Sequence, residues 1–184
     1  MNTPATLRER LRGLARASIR HGLENRCPID VLLHEWPDPL VEKRSTFVTL
    51  QQNRQLRGCI GALEATRPLV RDLAENAFAA AFRDPRFPPV TAAEFPELEI
   101  HVAVLSAIEP FPVESEAELL EKLRPNVDGL VLEEGDSRGT FLPAVWRSLP
   151  DAGEFLKQLK LKAGLEPGYW SESIRAYRYT TEEF

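Results

Sequence analysis

An α+β fold with a largely antiparallel sheet flanked by helices is predicted by three observations. Short alternating segments follow one another across hairpin-like breaks, as at Thr46 to Gln51 and Leu56 to Gly61, and again at Gly129 to Glu133 and Thr140 to Trp146. Helical patterns sit between these segments without the repeating strand-helix-strand unit of a parallel sheet. The chain has 184 residues, 43% of them hydrophobic. A chain of that length can bury roughly 70% of its unfolded surface, so no disulfide staples are needed.

The first element is a helix, because Leu7, Leu11, Leu14, Ala15 and Ile19 recur at helical spacing. Arg8, Arg10, Arg12, Arg16 and Arg20 then form a solvated basic face, in preference to an organellar presequence. Asn25 to Asp38, broken by Cys27-Pro28 and Trp36-Pro37, is an irregular connection, and its His34-Glu35 pair lacks the second histidine of a helical zinc site. In the hairpin that follows, Gln52-Asn53-Arg54-Gln55 is the polar break. A helix starting near Thr66, with Pro68 in its first turn, buries Leu69, Leu73, Ala77 and Ala81. Its run Ala77-Phe78-Ala79-Ala80-Ala81 permits close approach to a sheet. Asp84 precedes a proline and is pushed out of helical geometry, so the chain turns at Arg83-Asp84-Pro85-Arg86-Phe87-Pro88-Pro89.

Thr91 and Glu94 form a capping box for a short helix. Leu98 to Leu105 alternates as a strand, with Glu99 and His101 on its polar face. Ser115 and Glu118 cap a helix through about Leu123, and the second hairpin turns at Gly135-Asp136-Ser137-Arg138-Gly139. Asp151 opens a helix through about Lys162, with Gly164 as its stop, and Ile174 to Thr180 is the last strand. There is no internal repeat, low-complexity tract or linker.

Composition excludes several functions. Cys27 and Cys59 lie 32 residues apart without a Cys-x-x-Cys partner, which fits a reducing cytoplasm. No apolar run approaches the roughly 20 residues of a membrane span. The net charge of -5 disfavours nonspecific nucleic-acid binding. Charge is unevenly distributed, however: six arginines face four acids between Arg54 and Arg86, while twelve acids face Lys122 and Arg124 between Glu94 and Asp136. Guanidinium groups suit bidentate capture of carboxylate or phosphate. No phosphate loop, dinucleotide turn, nucleophile elbow or metal-spaced His/Cys cluster is present, so no cofactor is implied.

The candidate site centres on Leu56-Arg57-Gly58-Cys59-Ile60-Gly61. Period-two alternation sends Leu56 and Ile60 into the core and puts Arg57 and Cys59 together on the other face, with no side chain at Gly58 or Gly61 to crowd them. Cys59 is then an approachable thiol activated by a neighbouring guanidinium, and the candidate catalytic residue. Arg57, Gly58, Gly61, Asp84, Arg86 and Phe87 are the candidate ligand-binding residues. The competing reading makes Cys59 a small buried hydrophobe whose glycines admit another backbone. The turn at Asp84 likewise has two readings: a helix end satisfied by cations, or a projection of Arg86 and Phe87 into a cleft shared with Cys59.

With these residues in place, the chain resembles the AMMECR family, the human AMME-syndrome candidate-region protein and its bacterial and archaeal relatives, known as protein A of the AmmeMemoRadiSam system. The hexapeptide at Cys59 matches the family's hallmark. Asp84-Pro85-Arg86-Phe87-Pro88-Pro89, Gly129-Leu130, Phe141-Leu142-Pro143, and Lys162-Ala163-Gly164-Leu165 with Trp170 match its later blocks in order. The resemblance implies one AMMECR domain over residues 1–184, with a smaller second lobe, the two lobes meeting at a cleft near Cys59. It also implies a cytoplasmic protein acting with a Memo-like protein and a radical S-adenosylmethionine enzyme, and it supplies no reaction. Asp128 and Ala144 depart from the family's usual residues.

Two functions follow. The primary reading is a noncatalytic binding module whose arginine-lined cleft takes a partner protein or a small anionic ligand. The alternative is an enzyme using Cys59 as nucleophile or redox thiol; its missing part is a general base, since only His21, His34 and His101 are available.

Overall fold

The computed structural model describes residues 3–184. They form an α+β fold with two separate antiparallel sheets, where the sequence suggested one, and the chain divides into two compact units.

The first unit comprises residues up to Leu105 together with the last three residues of the chain. Its helices are α1 (Ala5–Asn25), the short α2 (Asp38–Val41) and α3 (Leu69–Phe82). Its sheet contains β1 (Thr46–Gln52), β2 (Gln55–Gly61), β3 (Glu99–Leu105) and the C-terminal β8 (Thr181–Glu183) in the order β2-β1-β3-β8. Val48, Leu50, Val102 and Val104 form the buried face of the sheet. Eleven residues of α3 are buried, because this helix packs on the sheet with one side and on α1 with another. Ser18 Oγ donates to Ala74 O at 2.7 Å, tying α1 to α3.

Two local expectations change in this unit. The helix near Thr66 begins only at Leu69, because Arg44 N and Leu69 N bond to Arg67 O and Glu42 O and hold the preceding residues extended. The arginines of α1 are not simply solvated: Arg8 pairs with Glu182, Arg10 donates to Glu35 O, and Arg16 donates to Leu98 O.

The second unit, Ser106–Thr181, carries β4 (Glu109–Pro110), β5 (Gly129–Glu134), β6 (Ser137–Phe141) and β7 (Arg175–Tyr179) in the order β4-β7-β5-β6, with helices α4 (Glu116–Lys122) and α5 (Ala152–Lys162). Its core holds Leu119, Leu130, Leu132, Leu156 and Leu159, with Trp146 stacked on Phe155 at 3.8 Å. The hairpin strand ends at Phe141 and not at Trp146, because Pro143 starts a 3-10 turn over Pro143–Arg147. Asp128 is fully buried, its carboxylate accepting from Arg124 and its carbonyl from Trp146 Nε1, so the departure from the family pattern has a structural use.

Candidate functional site

Strand β2 lies at one edge of its sheet, and its register against β1 decides what the hexapeptide does. Thr49 pairs with Cys59, Leu50 with Gly58 and Gln51 with Leu56, which leaves Arg57 as an extra residue in a β-bulge. The bulge breaks the simple alternation expected from the sequence. Leu56, expected in the core, is 44% exposed. Gly58 and Ile60 lie opposite the buried Leu50 and Val48, whereas Cys59 shares the other face with Thr49.

The two glycines are filled positions. A Cβ on Gly58 would stand 2.1 Å from the Ala80 carbonyl oxygen, so the absent side chain lets α3 lie against the strand. A Cβ on Gly61 would stand 2.3 Å from the Phe47 ring. Neither glycine leaves space for a ligand at its own Cβ; each admits a neighbour, as in the competing sequence reading.

Cys59 itself is half-buried, and its sulfur accepts a hydrogen bond from Thr49 Oγ1 at 3.2 Å. At an edge strand the outward N–H and C=O need partners. Here they are side chains: Cys59 N donates to Asp84 Oδ2 at 2.8 Å, and Arg86 Nη2 donates to Cys59 O at 3.2 Å. Asp84 and Arg86 bind each other in turn, through Nε to Oδ1 at 2.9 Å and Nη2 to Oδ2 at 2.7 Å, with Arg86 N also donating to Oδ1. One carboxylate and one guanidinium thus close over the Cys59 backbone as a neighbouring strand would. The bonds from Arg86 hold the Asp84 carboxyl well below the usual carboxylate range against the opposing effect of burial, with the Cys59 N–H assisting. The same pair keeps Arg86 firmly protonated, first through Asp84 and further through Cys59. Phe87 lies beside this clamp, its ring centroid 5.5 Å from the Arg86 guanidinium carbon.

The structure therefore brings Cys59, Asp84, Arg86 and Phe87 together, as the sequence suggested, but turns Arg57 elsewhere. Arg57 binds Glu94 through Nε at 2.8 Å and Nη2 at 3.3 Å, and its buried Nη1 has no hydrogen-bond partner among the described residues. Glu94 also accepts from Thr91 N and Oγ1, and its pKa falls to about 2, chiefly through Arg57 and then the Thr91 N–H. The cation beside Cys59 is Arg86, not Arg57.

Sequence reasoning missed Thr49 and the buried Asp72, and it could not place His101 beside Thr49. Thr49 is found only once the register is known. His101 pairs with Thr49 from the other side, which sets Cys59, Thr49 and His101 in one row across three strands. Its Nε2 lies 3.9 Å from a Glu99 carboxylate oxygen. The buried Asp72 accepts from Thr46 N, Thr46 Oγ1 and Asn76 Nδ2, pinning the start of β1 to α3, and burial raises its pKa despite those bonds. An acid among apolar neighbours in the first turn of a helix that packs on a sheet is the signal that could have found it.

Chemically, the arrangement holds a thiol by its own backbone and offers a hydroxyl donor to the sulfur. Among the described residues no histidine or carboxylate bonds to Cys59 Sγ, and His21 instead meets Cys27 Sγ at 3.5 Å. Among the described residues no group of three His, Cys, Asp or Glu side chains could hold a metal ion, and no helix is long and apolar enough to cross a membrane.

Comparison with known proteins agrees with this architecture. A protein of Methanothermobacter thermautotrophicus is 42% identical over 154 residues, covering 80% of this chain and 78% of the relative. Protein MJ0810 of Methanocaldococcus jannaschii is 39% identical over 178 residues, covering 92% and 85%. The crystal structure of uncharacterized protein PH0010 from Pyrococcus horikoshii superimposes with a TM-score of 0.86 at 36% identity, covering 95% of this chain and 89% of that one. The AMMECR1 family profile matches residues 12–184, and the chain belongs to that family.

Proposed function

We propose that the protein is a noncatalytic, cytoplasmic binding module whose recognition surface is the clamped edge of β2. The observation that carries this reading is the Asp84–Arg86 clamp itself. Asp84 and Arg86 are used to fix the Cys59 backbone, Arg57 is spent on Glu94, and among the described residues no histidine or carboxylate bonds to the thiol. What the clamp leaves over is a partly cationic edge: the Arg86 side chain is 55% exposed, and among the described residues its side-chain hydrogen bonds run through Nε and Nη2. Nη1 then serves a small anionic ligand or an acidic group on a partner protein. The Memo-like and radical S-adenosylmethionine proteins implied by the family resemblance are the partners to try first.

The test is calorimetric titration of the purified chain with those two proteins from the same genome, and with inorganic phosphate. Arg86→Gln is expected to weaken binding about tenfold or more, and Cys59→Ser to leave it within about threefold. If Cys59→Ser abolishes function in a folded protein while Arg86→Gln does not, the module reading fails.

A second reading, an enzyme using Cys59 as nucleophile or redox thiol, is favoured by one observation: the row Cys59, Thr49, His101 supplies a hydroxyl and an imidazole in line with the sulfur. Loss of Cys59 reactivity toward iodoacetamide in Thr49→Val and His101→Gln, with the fold intact, would support it over the module.

A further inference from the structure

At the carboxyl end of α1 three side chains meet that the Cys59 site does not use. The helix closes at Asn25, and Arg26, in the left-handed conformation with φ of 59°, turns the chain back on itself. Cys27 therefore returns over the last turn, and its sulfur comes to 3.5 Å from His21 Nε2. Asn25, four residues after His21 and so on the same helix face, places its Nδ2 3.2 Å from His21 O and 3.2 Å from His21 Nδ1.

These contacts fix the proton of the ring. A carbonyl oxygen only accepts, so the bond to His21 O requires the Asn25 amide nitrogen on that side, and the same nitrogen then faces Nδ1. Nδ1 is the acceptor, the neutral ring carries its proton on Nε2, and that N–H points at the Cys27 sulfur. A nucleophile, an imidazole within its reach and a third group orienting the imidazole form an arrangement suited to attack by sulfur. The ring N–H stabilises negative charge on the sulfur once the thiol proton has left. The carboxyl end of α1 opposes that charge, and the Arg26 guanidinium, next to Cys27 in the chain, offsets the helix end. Cys27 is exposed whereas Cys59 is half-buried, so Cys27 is the thiol open to an incoming reagent.

We propose that Cys27 is a site of reversible modification by low-molecular-weight disulfides, with His21 stabilising the attacking sulfur and Asn25 holding the ring. The Cys27 thiolate attacks one sulfur of the reagent. An Sγ–S bond forms, the reagent's S–S bond breaks, and its electron pair leaves on the departing thiolate, which takes from solvent the equivalent of the proton that Cys27 gave up. One protein thiol and one small disulfide thus give one mixed disulfide and one small thiol, with no further oxidant. Small thiols reverse the bond by the same exchange, so the modification follows the surrounding thiol–disulfide poise. Nothing at this site involves Cys59 or its clamp, so the proposal stands independently of the module reading.

The experiment incubates the reduced full chain with 2-hydroxyethyl disulfide, an uncharged probe, and follows the adduct by intact mass and peptide mapping from pH 6 to 9.5. One adduct is expected first, at Cys27 ahead of Cys59, and reversed by dithiothreitol. His21→Phe keeps a ring without an N–H and is expected to slow the reaction at pH 7 about threefold or more, the gap closing by pH 9.5, where an ordinary thiol is largely ionised without help. Asn25→Ala, at the exposed helix end, frees the ring to turn and is expected to give an intermediate rate; it carries the test should His21→Phe fail to fold. A first adduct at Cys59, equal rates at pH 7 in wild type and either folded variant, or a slowing that persists unchanged at pH 9.5 would each overturn the proposal.

Discussion

Replacing Gly58 by alanine tests whether the glycine serves close packing or an open thiol pocket. The added Cβ would stand 2.1 Å from the Ala80 carbonyl oxygen, more than an ångström inside ordinary contact. The obstacle is backbone, in a helix with eleven buried residues, so no side chain can swing aside. Forced overpacking of this kind costs about 1–3 kcal/mol, and so short a contact belongs at the upper end. The alanine's smaller unfolded-state entropy returns about 0.4–1 kcal/mol. The net expectation is a loss of about 2 kcal/mol, or a fall of about 1 M in the urea midpoint if m is near 2 kcal/mol/M. Gly13→Ala is the internal control. Gly13 is exposed on α1 with nothing within 4 Å of its would-be Cβ, so the same substitution there should stabilise by about 0.5–1 kcal/mol. Both midpoints can be followed by far-ultraviolet circular dichroism. A Gly58→Ala protein melting within about 0.2 M of wild type would refute the packing argument.

Three further outcomes follow from the clamp and its surroundings. Asp84→Asn should accelerate hydrogen exchange at the Cys59 amide by about tenfold or more while leaving Val102, whose N–H bonds to Phe184 O, unchanged; equal protection in the variant would deny Asp84 its role as edge cap. The folded pKa values of Asp84 and Glu94 lie below their unfolded values, so their contribution is complete above about pH 5 and is lost as pH falls through the acid range. Urea midpoints measured from pH 6 to 2.5 should therefore decline less steeply in Asp84→Asn than in wild type. Cys27 is exposed and Cys59 half-buried, so iodoacetamide should modify Cys27 first; Arg57→Ala, which breaks a pair with Glu94, should leave the Cys59 rate unchanged. A marked slowing in Arg57→Ala would restore the direct arginine–thiol contact inferred from alternation alone.

Much of the local structure was written in the sequence. The apolar spacing of Leu11, Leu14, Ala15 and Ile19 gives α1 its buried face, and the capping residues Ser115 and Asp151 accept from Glu118 N and Glu154 N as their spacing demands. Thr91 and Glu94 exchange the bonds of a capping box, yet only a 3-10 turn follows over Phe95–Glu97, because β3 takes the chain from Glu99. These features depend on neighbours three or four residues away, and that range is what periodicity and capping report.

The site was legible only as a set of names. That Cys59, Asp84 and Arg86 belong together could be inferred from the helix joining them, but their geometry rests on bonds spanning 25 and 27 residues. A single bulge residue at Arg57 exposed Leu56, and the guanidinium found its carboxylate at Glu94, 37 residues away. Chain pattern sets which residues can lie on one face. Strand register and the packing of α3 against Gly58 set which residues meet, because a shift of one residue in a ladder exchanges its two faces.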